Sequence, residues 1–153
     1  MTPMTLATLL TEQQRLLEGF LATLDEERKC LCDGVIDGAR MSAIAETKQA
    51  TLEEMETIEQ ARRERQQADG FGSGAQGAER LAKAHGAEDQ WYVIRELAAE
   101  VRHQNLLNGH IISQRLEYNQ RAIDFLNRAV GGSVYGPNGQ SQHKGFGGIS
   151  SKA

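Results

Sequence analysis

From Glu88 to Ala129 the chain carries one uninterrupted helical pattern, and its length restricts the folds open to it more than any other feature. Trp91, Ile94, Leu97, Val101, Ile111, Tyr118, Ala122 and Phe125 recur at helical spacing, with Gln104, Asn108 and Arg115 on the same line. At about 1.5 Å per residue, such a helix is roughly 60 Å long if straight. A compact ball of 153 residues cannot enclose it. It predicts an all-α fold, an elongated antiparallel helical bundle or coiled coil.

Two further long patterns precede it. In the first, about Thr5 to Asp33, Leu10, Leu17, Phe20, Leu24 and Leu31 form a heptad-like seam. Leu6, Leu9 and Leu16 widen its start, while Gln13 and Glu27 fill polar slots. The second runs from about Asp37 to Ala68, with Met41, Ile44, Leu52, Met55 and Ile58 as its apolar face. Lys48 and Arg62 lie on that face, where their stems can pack while the charges reach water. Glu59 and Arg63 have the spacing of a favourable helical ion pair, and Glu53 to Arg65 reads as a solvated flank. The only prolines are Pro3 and Pro137, so no proline breaks these helices. Asp33 or Asp37 can cap the second helix after Gly34.

Between the second and third patterns, Asp69 to Gly77 holds four glycines and reads as a flexible connection. A short helix is expected from Ala78 to His85, ahead of Gly86. After the third pattern, residues 131–153 hold seven of the 16 glycines and no acidic side chain. Lys144 and Lys152 give this tail +2, which leaves −6 on residues 1–130 within a net charge of −4. The tail cannot bury enough apolar surface to fold alone. The expected organisation is therefore a helical domain of three long helices over residues 1–130 and a flexible tail over residues 131–153. Val134, Tyr135, Phe146 and Ile149 are the tail's large apolar residues and read as anchors for a partner.

The acidic balance argues against nucleic acid or an anionic membrane as a general partner. No run of about 20 apolar residues predicts a membrane span. The N-terminus lacks the basic and apolar blocks of a signal peptide. Cys30 and Cys32 lie two apart, on different sides of a helix, which disfavours a mutual disulfide and fits a cytoplasmic protein with reduced thiols. His103 and His110 are about 10 Å apart along a helix, too far to share one metal. Cys30-x-Cys32 lacks the spacing and the second cysteine pair of a zinc site. Gly70-Phe71-Gly72-Ser73-Gly74 has no preceding strand and no following Gly-Lys-Ser/Thr, so it is not a phosphate loop. No catalytic residues, cofactor or metal are expected.

Two segments remain that core packing does not explain. Asn105, Asn108 and Gly109 are weak helix formers inside the longest pattern. They fit either a close helix crossing, with Gly109 admitting a backbone and the asparagines satisfying each other, or a groove in which the amides bond a partner. Tyr135 precedes Gly136-Pro137-Asn138-Gly139. It fits either a turn folded back on the bundle or a short linear motif with an aromatic hot spot.

With these segments the order of parts resembles the FlgN-type flagellar export chaperones: a leucine-rich first helix, a second ending in Glu59 to Arg65, and a third carrying Asn105-x-x-Asn108-Gly109. Val134-Tyr135-Gly136-Pro137-Asn138-Gly139-Gln140 resembles that family's Tyr-Gly-x-(Asp/Asn)-Gly signature. The chain departs from the pattern at Gly70 to Gly77 and at Gly145-Phe146-Gly147-Gly148. The resemblance implies a cytosolic α-helical chaperone without ATPase activity. It implies binding to the C-terminal helical region of the hook-filament junction proteins FlgK and FlgL, before export through the flagellar type III apparatus. It also implies docking of Tyr135, with Gly136 and Gly139, on the cytosolic domain of the export gate protein FlhA. The expected client-binding residues are Asn105, Asn108, Gly109, Ile111, Ile112, Leu116, Tyr118, Ile123, Phe125 and Leu126. A self-associating structural coiled-coil adaptor is the alternative that the same helices allow.

Overall fold

The computed structural model describes residues 4–129. These fold into four helices: α1 (Leu6–Cys32), α2 (Gly38–Ala68), α3 (Ala75–Ala84) and α4 (Glu88–Ala129). No strand occurs among the described residues. The three long helices lie where their periodicity places them. The short one begins three residues before the expected Ala78 and packs as a full member, so the helices number four, one more than the three long patterns.

Local chemistry sets the helix ends. Thr5 caps α1, its hydroxyl accepting from the Thr8 N–H at 3.2 Å. Asp37 caps α2, its carboxylate accepting from the Arg40 N–H at 3.1 Å. Each cap satisfies a donor that the first helical turn leaves without a partner. α2 and α3 close in the same way: Gly70 and Gly86 adopt φ of +84° and +67°. Phe71 N–H then reaches back to the Gln66 carbonyl (2.9 Å), and Ala87 N–H to that of Ala82 (2.8 Å). A residue with a side chain is strained at such φ values, and these bonds make both ends Schellman closures.

Cross-helix pairs fix direction. Arg65 bonds the Met4 carbonyl, Arg15 approaches Glu54, and Lys48 pairs with Glu27, so α2 runs antiparallel to α1. Gln90 donates to Thr11 and Asn108 to the Leu24 carbonyl, so the first part of α4 runs alongside α1 in the same sense. Each successive long helix therefore reverses direction. The α1 seam is the spine of the core: Leu6, Leu9, Leu10, Leu16, Leu17, Phe20, Leu24 and Leu31 are all buried. Fully burying such a side chain is worth about 1.5–3 kcal/mol. Leu81 of α3 and Ile94 of α4 join this cluster, with Met55, Phe71, Trp91, Leu97 and Val101 around it.

Two sequence expectations for α2 are corrected here. On α2 only Ile44 of the predicted apolar face is buried, and Leu52 is exposed. Arg62 does not send its charge to water. It is 7% exposed, with its guanidinium carbon 4.8 Å above the Trp91 ring. The α2–α3 connection, read as flexible from its glycines, is tied down by a buried side chain. Gln66 Nε2 donates to the carbonyls of Gly72 (2.7 Å) and Gly74 (2.9 Å). Gly77 lies inside α3, pressed so close that an added Cβ would stand 2.2 Å from the Phe71 carbonyl oxygen.

The compact unit ends at Asn108, and Gly109 opens the second. Helix α4 runs from Glu88 to Ala129 and so includes residues of both. In the second unit, none of the described residues Gly109–Ala129 is buried.

Candidate functional site

The polar positions of the α1 seam and of α4 meet in one layer. Glu27 and Asn108, 4% and 0% exposed, are both inside the fold. Asn108 Nδ2 donates to the Leu24 carbonyl (2.8 Å) and to Glu27 Oε1 (2.9 Å). Lys48 Nζ reaches both Glu27 oxygens (3.3 and 3.2 Å) and Asn105 Oδ1 (2.9 Å). A carboxylate this buried is tolerated because a cation and an amide donor both address it. The layer ties α1, α2 and α4 together at one height. Asn108 Oδ1 is the exception, with no partner among the described residues.

This geometry bears on the two readings of Asn105-x-x-Asn108-Gly109. Asn108 serves a helix crossing, although the two asparagines are joined through Lys48 and Glu27 and do not bond each other. Gly109 admits no close backbone, because an added Cβ there would meet nothing within 4 Å. The link from Asn108 to Glu27 spans 81 residues. Its sequence signal was the coincidence of two polar residues on two apolar seams.

Beyond Asn108 the face of α4 changes character. Ile111, Ile112 and Ile123 are half-buried, while Leu116, Tyr118, Phe125 and Leu126 are 41%, 69%, 62% and 58% exposed. At 100° per residue these residues share about half the helix circumference. Tyr118, Ala122, Phe125 and Leu126 border a shallow depression with Arg121. An isolated exposed leucine needs no explanation, but several large apolar side chains exposed on one half of a helix are uncommon on the surface of a monomer. Tyr135, Gly136 and Gly139 lie outside the described residues.

A second constellation, missed in the sequence, gathers where α2, α3 and α4 meet. Arg62 Nη1 donates to Gln66 Oε1 (2.9 Å) and Nη2 to Glu59 Oε1 (3.1 Å), while its plane covers Trp91. Arg63 bonds the same Glu59 oxygen at 3.2 Å. Loss of solvation pulls the Arg62 pKa below its ordinary value, against the opposing pull of Glu59. On the outer surface, hydrogen bonding to Arg15 holds Glu12 below the ordinary carboxylate range, and Lys29 does the same for Asp25.

Among the described residues no group of three or more His, Cys, Asp or Glu side chains could hold a metal ion. Glu100 and His103 have the i,i+3 spacing of a helical ligand pair, but no third ligand joins them there. Cys30 is buried and Cys32 exposed, both as free thiols. No helix among the described residues is long and apolar enough to cross a membrane.

A family model described as FlgN protein matches residues 1–143. The flagella synthesis protein FlgN of Yersinia enterocolitica is 31% identical over 137 residues, covering 90% of this chain and 89% of its own length. The corresponding proteins of Salmonella typhimurium and Escherichia coli are 29% and 26% identical, each over 92% of this chain and 94% of their own. No solved structure gives a significant match. With a family model spanning almost its whole length and relatives aligned nearly end to end, this chain belongs to the FlgN family.

Proposed function

We propose that the chain is an export chaperone of flagellar assembly. It covers the C-terminal helical region of the hook-filament junction proteins FlgK and FlgL, prevents their premature assembly, and delivers them to the type III export gate. One observation carries this reading: residues Gly109–Ala129 present Leu116, Tyr118, Phe125 and Leu126 along a helical segment none of whose described residues is buried. Relatives named for flagella synthesis set the biological context.

An amphipathic client helix laid on that stripe buries its own apolar face and theirs together. Ile111, Ile112 and Ile123 line the same half of α4, with Asn105 and Gly109 at its upstream end. Asn108 contributes from inside, by holding α4 against α1. Release needs no catalytic step, because a competing partner lowers the population of the complex by mass action. In this reading Tyr135, with Gly136 and Gly139, docks on the cytosolic domain of FlhA.

Calorimetric titration of the full chain with the C-terminal segments of FlgK and FlgL tests the proposal. Saturable binding near one to one, with the negative heat-capacity change of apolar burial, is expected. Phe125→Asp combined with Leu126→Asp should abolish it while leaving helicity unchanged. The same exposed stripe also suits a second copy of the chain, as in a structural coiled-coil adaptor. Concentration-dependent self-association without heat from either segment would overturn the chaperone reading in favour of that one.

A further inference from the structure

We propose that the cleft between the end of α2, the start of α3 and Trp91 of α4 is a binding site for a carboxylate side chain of an acidic peptide segment. The site lies wholly within residues up to Asn108 and uses none of the exposed α4 face assigned to the client. Its volume is about 840 Å³. That is within the roughly 300–1,000 Å³ of a typical ligand pocket and far more than one small ion requires.

Three arginines line it: Arg62, Arg63 and Arg95. Glu59 is the one carboxylate bonded to them among the described residues, and it is divided between Arg62 and Arg63, while Arg62 also donates to the neutral Gln66 amide. Arg95 has no ion pair among the described residues. The first turn of α3 opens into the same cleft, with Gly74 at the cap position and no side-chain cap on its free N–H groups. The positive end of a helix dipole thus adds to the arginines.

An independent observation points the same way. Arg62 is more than nine-tenths buried, and its Nε–H has no acceptor within the described protein; the indole Nε1–H of Trp91 has none either. Both residues line the cleft. The unmatched buried polar atoms of these two lining residues are therefore both donors, so the group that complements them is an acceptor. Leaving a buried donor unmatched costs about 1–3 kcal/mol, and a buried, already desolvated guanidinium gains most from a nearby negative charge.

The count of charges selects the kind of anion. Glu59 and Glu79 also line the cleft, against three arginines, leaving one net positive charge. One carboxylate balances it, whereas a doubly charged phosphate would be driven against the two glutamates. The apolar face of Trp91 and the cleft's size suit the peptide that carries the carboxylate. Residues 131–153 contain no acidic side chain, so this chain's own tail cannot supply one from a side chain.

Trp91 is the only tryptophan, so the intrinsic tryptophan fluorescence of the full chain reports on this cleft alone. The probe is an end-blocked peptide of alternating Ala and Glu, compared with its Ala–Gln counterpart and with inorganic phosphate. A saturable change with the Glu peptide is expected, at least tenfold weaker with the Gln peptide. Arg63→Gln with Arg95→Gln should weaken it to a similar degree, with circular dichroism unchanged because both side chains are exposed. Three results would overturn the proposal: no saturable response to the Glu peptide, an equal response in the double variant, or tighter saturation by phosphate than by peptide.

Discussion

Replacing Asn108 with alanine tests whether the buried polar layer holds α4 in place. The substitution removes one hydrogen bond to the Glu27 carboxylate and one to the Leu24 carbonyl, both below 3 Å, at a site with no exposure. A bond to a charged group is worth about 1.5–3 kcal/mol and a neutral one about 1 kcal/mol. Removing the unpartnered Oδ1 returns about 1 kcal/mol, which the new cavity roughly cancels. The net loss is therefore about 2–4 kcal/mol. A chain of this length loses about 2–4 °C of Tm per kcal/mol, so the melting point should fall by about 10 °C. Urea titration followed by helical circular dichroism measures the loss directly. A change within about 0.5 kcal/mol of the parent would refute the argument and make the layer an incidental feature of packing. A companion variant sharpens the logic. Glu27→Leu, Lys48→Met and Asn108→Leu together remove the polar layer without orphaning any charge, and should leave stability equal or higher. What they should lose is a unique helix register, visible as broadened amide resonances.

Gly77→Ala should cost about 1–3 kcal/mol by overpacking, because the new methyl meets the Phe71 carbonyl oxygen at 2.2 Å and Gln66 Nε2 at 2.6 Å. Gly109→Ala, with open space around it, should stabilise the helix by about 0.5–1 kcal/mol; urea midpoints separate the two. Tyr135→Ala should leave client binding unchanged in calorimetry and weaken capture by the FlhA cytosolic domain at least tenfold. The depressed carboxylates Glu12 and Asp25 contribute stability that is fully present above the ordinary carboxylate range and is lost as pH falls through their lowered values. Both are partly exposed to solvent, so the acid slope should be shallow and should flatten in high salt, which urea midpoints at several pH values will show.

The helices were legible because their signals are local. Thr5, Asp37, Gly70 and Gly86 mark ends within a few residues, and the α1 leucines repeat densely enough to name the buried face. What escaped depends on residues far apart in sequence. Arg62 could be placed on the apolar face of α2 but was expected to send its charge to water, because nothing near it in sequence shows that Trp91 lies beneath. Leu52 looked like core, but α2 buries few side chains, and the polar bonds of Glu27 and Lys48 occupy the height where an apolar stripe would continue. The early start of α3 escaped because Gly77 reads as a loop residue until its close approach to Phe71 is known. Of the expected site, the α4 stripe could be read from spacing, whereas the inward turn of Asn108 required its partner on α1.

The clamp formed by Gln66 has a consequence for where this chain tolerates added length. One side-chain amide holds two carbonyls two residues apart, so it acts as a gauge for the turn between α2 and α3. A residue inserted between Gly72 and Gly74 pulls those acceptors out of reach of a single amide and releases the start of α3. Leu81, 1% exposed on that helix, would then lose its seat against α1. In the α1–α2 turn, by contrast, Val35 is 87% exposed, and tags or spectroscopic labels spliced beside it should leave the bundle intact. The glycine-rich turn looks like the more permissive of the two in sequence, yet it is the one whose length is measured.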